Sequence, residues 1–221
     1  MVTPSCFADG GWLAKTATGR DHGAPYIQSW KVAFETRPKF IQIHQWNEFA
    51  GQKEGEGYGP DHHGYVDEYN LESSDDIEPT QLQACAYRGC GGWGYYYMNL
   101  TKALIALYRG EIPGATVLAL SGPYQAAVVK QNRLALTWQT VGDSPRSYDL
   151  QLDSATVAKA IHGDNYTLDL SRLRPGKHRV ALLANGVHTF FDLNAERMTG
   201  KSTSVLPVRS TIEFTYSPDS Q

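Results

Sequence analysis

Between Phe40 and Pro79 a short apolar run, "FIQIHQW", gives way to a long stretch of carboxylates, histidines and aromatics. Glu48 follows the run, with Asn47 and Trp46 before it. A carboxylate can act in general acid–base chemistry, and an indole face can carry a sugar ring. Each also has a plainer reading: Glu48 as a surface carboxylate, Trp46 as core packing, His44 as a hydrogen-bonded residue in an apolar strand. Downstream come Glu54, Glu56, Asp61, Asp67, Glu68, Glu72, Asp75, Asp76 and Glu78, with Lys53 as the segment's only Lys or Arg. General acid–base work needs two groups with differently tuned pKa values, so one of these acids could partner Glu48. They could instead bind Ca²⁺, which favours oxygen ligands, or simply be solvated. Their spacing does not fit an EF-hand loop. His62 and His63 are adjacent and point apart in extended chain, which argues against a joint zinc site. Tyr58, Tyr65 and Tyr69 favour an ordered, packed loop, and loops this long are uncommon unless functional or disordered.

The residue totals narrow the classes. The chain has 221 residues, 41% hydrophobic and 19% charged, with a net charge of -3. That composition supports a packed core and excludes a disordered chain. No basic stripe of the kind nucleic-acid binding needs is present. No apolar run is long enough to span a membrane as a helix. The N-terminus, "MVTPSCFADGGW", lacks the basic and apolar regions of a signal peptide. Cys6, Cys85 and Cys90 read as free thiols or, for the closely spaced pair, a small disulfide in an exported chain. Asn99-Leu100-Thr101 and Asn165-Tyr166-Thr167 match the glycosylation pattern. No cofactor or metal is expected.

Two rhythms divide the chain. Up to residue 110 it reads as mixed α and β. "YIQSWKVAFET" places Ile27, Trp30 and Phe34 at helical spacing, with Pro38 as the stop. "FIQIHQW" reads as a strand with Ile41 and Ile43 on one face and Phe40, Gln42, His44 and Trp46 on the other. "GWGYYYMNLTKALIALYRG" places Trp93, Tyr96, Tyr97, Leu100, Leu104 and Leu107 on one helical stripe, with Gly110 as C-cap. Helix, strand, long loop and helix is the order found within an α/β barrel or doubly wound sheet, and a barrel would put Glu48 at an active-site strand end. After the connector Gly110–Ala115, residues 116–221 carry short alternating runs: "NRLALTW", "SYDLQL", "NYTLDL", "HRVALLA", "HTFFDL" and "TIEFTY". The segments "GDSP", "HGD", "RPGK" and "ANG" separate them as turns. This predicts an antiparallel β-sandwich, with Leu134, Leu136 and Trp138 sharing its inner face.

The ordered set "PKFIQIHQWNEFAG", "DDIEPT" and a final aromatic-rich helix resembles the C-terminal end of glycoside hydrolase family 99 and WbsX-like barrel proteins. The resemblance covers about residues 20–110 and implies a retaining glycosidase site in a (β/α)₈ barrel. It assigns Glu48 to the motif glutamate that assists attack by the sugar's own 2-hydroxyl. The motif's second glutamate, three residues on, is here Gly51. The resemblance thus implies a carbohydrate substrate and Glu48 as catalytic residue; on that reading His44, Trp46 and Asn47 would line the sugar site, with Tyr65 and Glu68 as further substrate-binding candidates from the loop. A full barrel takes roughly 250 residues, so the expectation for residues 1–110 is part of a barrel from a longer extracellular or periplasmic enzyme. The second half resembles the fibronectin-III or immunoglobulin-like domains often appended to such enzymes. Alternatives are a non-catalytic carbohydrate-binding or cell-surface sandwich protein, and a calcium-stabilised structural domain.

Overall fold

The structure, a computed structural model, describes residues 1–5, 19–47, 76–79, 93–123 and 127–218. Two helices precede eight strands: α1 (Ala24–Thr36), α2 (Tyr96–Tyr108), β1 (Thr116–Ser121), β2 (Ala127–Val129), β3 (Arg133–Gly142), β4 (Ser147–Leu152), β5 (Ala155–Ile161), β6 (Asn165–Asp169), β7 (Gly176–Thr189) and β8 (Leu206–Tyr216). A 3-10 turn, Asp21–Gly23, leads into α1.

Both helices begin and end for local reasons. Pro25 lies in the first turn of α1, where its missing N–H costs nothing. The helix ends at Thr36, where Arg37 turns left-handed and its N–H reaches Ala33 O at 2.9 Å. Pro38 cannot then resume it. At the end of α2, Gly110 takes φ +71°, Gly110 N–H donates to Leu107 O, and Glu111 N–H donates to Ala106 O. This is the Schellman closure expected of a glycine at that position. The buried stripe of α2 runs through Tyr97, Leu100, Ala103 and Leu104. Trp93, expected on the same helix, precedes it and stacks edge-on against Tyr97 at 5.3 Å.

The strands form two sheets. β1-β3-β6 makes one, and β2-β8-β7-β4-β5 the other, with β2 parallel to β8 and the remaining pairs antiparallel. Leu118, Leu120, Leu134, Leu136, Trp138, Leu168 and Leu170 from the first sheet side meet Tyr148, Leu150, Val180, Leu182, Ile212 and Phe214 from the second. The alternation read in β3 is the observed one: Leu134, Leu136 and Trp138 face inward. Trp138 is only 3% exposed and packs on Tyr148 at 5.1 Å, so it is a core residue rather than a surface platform.

A second apolar cluster lies on the outer side of the first sheet. Tyr26, Ile27, Trp30, Tyr97, Leu100 and Leu104 from the helices pack there against Ile112, Val117, Ala119, Val141, Phe191 and Leu193. β1 is therefore buried on both faces. Such a strand shows no polar–apolar alternation, which is why "TVLALS" carried no period-2 signal.

Four expectations need correction. The strand read in "FIQIHQW" is not formed: among the described residues that segment makes one isolated parallel bridge, Ile43 with Val2. Ile41 and Ile43 do pack against the helical core, but Phe40 is 81% exposed. Among the described residues no (β/α)₈-barrel portion is shown: the helices cover an antiparallel sheet instead of flanking parallel strands. The "ANG" turn, Ala184–Gly186, lies inside β7, which continues to Thr189 across a register shift. Gly186 absorbs that shift at φ +79° beside the Arg146 side chain. Likewise "HTFFDL" leaves the strand at Thr189, and Phe191 and Leu193 turn into the helical core.

Gly142 ends β3 at φ +103°, where a Cβ would come within 2.1 Å of Ala115 O. Gly142→Ala would force apart the β1–β3 start on which the helical layer rests. We expect a loss of about 2–4 kcal/mol in urea unfolding. A loss under about 0.5 kcal/mol would show that this close approach is not needed.

Candidate functional site

The described part of the Trp46 region is built from two chain segments that are distant in sequence. Residues 41–47 pass beside Val2, whose N–H donates to Gln42 O and whose carbonyl accepts His44 N–H, both at 2.9 Å. Residues 76–79 then lie alongside. Ile77 N–H reaches Gln45 O and Trp46 O, each at 3.2 Å, and Glu78 N–H donates to Trp46 O at 3.0 Å. Pro79 disfavours helical backbone at Glu78.

Side chains repeat the pairing. Gln45 Nε2 donates to Asp76 Oδ1 at 3.3 Å, and Asn47 Nδ2 donates to Glu78 Oε2 at 2.6 Å. Trp46, between the two bonded residues, is 51% exposed, unlike Trp30, Trp93 and Trp138, which are buried. An exposed indole beside an amide–carboxylate pair can offer an apolar face and hydrogen-bonding groups to one polar ligand.

Of the residues singled out from sequence, the structure thus brings Trp46 and Asn47 together and adds Glu78. His44 is half-buried and is positioned by its backbone bond to Val2. Glu48, Tyr65 and Glu68 lie outside the described residues, as do Cys6, Cys85, Cys90 and all the loop acids but Asp76 and Glu78. Asp76 is buried and bonded to Gln45, so it braces this corner rather than standing in solvent. Among the described residues no three His, Cys, Asp or Glu side chains converge as a metal site. Sequence reading missed Glu78 as the partner of Asn47. The signal was the proline after it.

The two glycosylation patterns part company here. Asn99 is 0% exposed, and its side chain holds the 197–199 segment: Nδ2 donates to Arg197 O, and Oδ1 accepts Thr199 N–H. Its amide is unreachable in the folded chain. Asn165 is exposed at the start of β6.

Two other polar sites are structural. His178 lies under the β4–β5 turn, with Nδ1 at 2.6 Å from Asp153 Oδ2 and Nε2 at 2.8 Å from Arg174 O, so both ring nitrogens are engaged. The joint between the helices and the sandwich holds Asp21 and His22, both at positive φ. His22 Nε2 lies 2.6 Å from Pro123 O, its ring meets Trp93 edge-on at 5.0 Å, and Tyr96 Oη donates to the His22 carbonyl. Burial depresses the His22 pKa to about 4, partly offset by the Pro123 bond. Burial also raises Asp21 and pushes the Tyr96 phenol well above its ordinary value.

No protein-family model matches the chain, and no curated protein matches it. Among solved structures, the endo-β-1,4-mannanase from Thermotoga petrophila is 12% identical over 52% of this chain, with a TM-score of 0.35. The chain spans 23% of that enzyme's length. The fibronectin(III)-like modules of Clostridium thermocellum CbhA are 18% identical over 45% of this chain and 98% of theirs, at a TM-score of 0.28. An engineered protein matches at 11% identity over 69% of this chain and 34% of its own, at a TM-score of 0.29. Likenesses of this size leave function to the chain's own geometry.

Proposed function

We propose that this chain acts on a polysaccharide or glycan at the surface formed by residues 44–47 and 76–79, with Glu48, the next residue in the sequence, as the catalytic carboxylate. The finer form is the one the Trp46–Phe49 motif implies: a glycoside hydrolase family 99 or WbsX-like site in an extracellular or periplasmic enzyme. Residues 116–221 then serve as a fibronectin-III or immunoglobulin-like domain that supports the helical layer. The observation that carries the reading is the Asn47–Glu78 bond at 2.6 Å, which closes two sequence-distant parts of the motif set beside the half-exposed Trp46. Trp46 would carry the apolar face of a sugar, and Asn47 would bind a hydroxyl.

The test pairs binding with turnover. Reducing-sugar release would be followed on α- and β-linked mannans, xylan and cellulose, with tryptophan emission reporting binding. Glu48→Gln is expected to retain binding and to lose about 10³-fold or more in turnover. Trp46→Phe is expected to remove the response of the emission to sugar. Binding without turnover by the unsubstituted chain would leave a carbohydrate-binding role and remove Glu48 from catalysis. Neither binding nor turnover on any of the four polymers would overturn the reading.

A further inference from the structure

We propose that Glu78 is a positioning and binding residue: it aims the Asn47 carboxamide, and the two groups together take hydroxyls of a neutral sugar laid on Trp46. The ligand class rests on the glycan reading above. The geometry does not. An asparagine amide has two ends, an NH₂ donor and a carbonyl acceptor, and nothing in the residue itself chooses which end faces out. Here the choice is made by Glu78, since Asn47 Nδ2 donates to Glu78 Oε2 at 2.6 Å, a charge-assisted length. Asn47 Oδ1 is thereby turned away from Glu78 as an acceptor.

Glu78 is itself placed by main chain rather than by chance. Its N–H is bonded to Trp46 O at 3.0 Å, its neighbour Ile77 is bonded to the same strand, and Pro79 restricts its backbone. The Asn47 bond uses one of its oxygens. Carboxylates hold about four lone-pair sites, so the group keeps acceptor capacity for a hydroxyl. The remaining Glu78 acceptor capacity and the outward-turned Asn47 Oδ1 can each accept from a hydroxyl of one sugar. The indole of Trp46, 51% exposed, offers the apolar surface that the C–H face of a pyranose needs. A phosphorylated or acidic sugar would meet the Glu78 charge and be disfavoured, which narrows the class to neutral sugars.

The experiment uses the whole chain labelled with ¹⁵N. The Asn47 side-chain amide signals are assigned by their loss in Asn47→Asp. Probes are β-1,4-linked mannotetraose, cellotetraose and xylotetraose, and an α-linked mannotetraose. The expected result has two parts. The Asn47 amide signals shift in Glu78→Gln relative to the unsubstituted chain, because the charged acceptor of the Nδ2 bond is gone. The retained tetrasaccharide binds about ten-fold or more weakly to Glu78→Gln, because a neutral amide replaces a charged acceptor. Glu78→Asp recovers part of that loss, and the thermal midpoint of Glu78→Gln stays close to that of the unsubstituted chain. Equal affinity in the unsubstituted chain, Glu78→Gln and Glu78→Ala would overturn this inference and leave the glycan reading standing. No response of the unsubstituted chain to any of the four probes would overturn both, the glycan reading first.

Discussion

Acidification from pH 6.5 to about 4 is expected to remove about 3 kcal/mol of stability through His22 alone. The unfolded histidine takes up a proton near 6.5. The folded one, buried against Pro123 O and the edge of Trp93, does not until about pH 4. Its contribution is fully present above 6.5 and is lost as the pH falls to about 4, because the unfolded state then binds more protons. Asp21 acts in the opposite direction: its carboxyl is raised by burial, so acidification relieves a strain that is present at neutral pH. The check is urea unfolding at steps between pH 7 and 4, on the unsubstituted chain and on His22→Asn. Asparagine tolerates the positive φ of this position. The variant should be less stable at pH 7, having lost the Pro123 contact, but its stability should not fall in that window. An equally steep fall in both proteins would remove His22 as the cause.

Trp30→Ala is expected to destabilise the entire described fold by about 3–5 kcal/mol. Trp30 is buried at the centre of the helical layer, with ring centroids of Tyr26, Phe34 and Tyr108 at 6.3, 6.3 and 6.1 Å. The same apolar cluster includes Val117 and Ala119 of β1, Val141 of β3, and Phe191 and Leu193 beyond β7. Helices and sandwich thus share one core across Gly110–Ala115. Loss of helical signal and loss of the Trp138–Tyr148 near-ultraviolet signal should therefore move together to lower denaturant. If the helical signal shifted while the sandwich signal stayed, the shared core would not couple the two parts.

The helices and the alternating strands could be read from the chain because the forces that make them are local. Ile27, Trp30 and Ala33 recur at helical spacing, Gly110 supplies a left-handed cap, and Leu134, Leu136 and Trp138 alternate along β3. The strand over residues 40–46 could not be tested locally. A strand exists only through a partner, and among the described residues this one pairs at a single point, Ile43 with Val2. β1 had the reverse problem: a strand covered on both faces loses its alternation, and its burial under α1 and α2 is a property of the assembled layers.

The site divides in the same way. Composition and order in the sequence determined that a carboxylate, an amide and an indole stand together at residues 46–48. Tertiary structure alone decided that the loop returns so that Glu78 binds Asn47, that Asp76 is buried against Gln45, and that Asn99 is sealed beneath Thr199. Each of these contacts joins residues about 30 or 100 positions apart. No periodicity encodes such a pair. It forms because packing the rest of the chain closes the loop between them and brings buried donors to the acceptors they require.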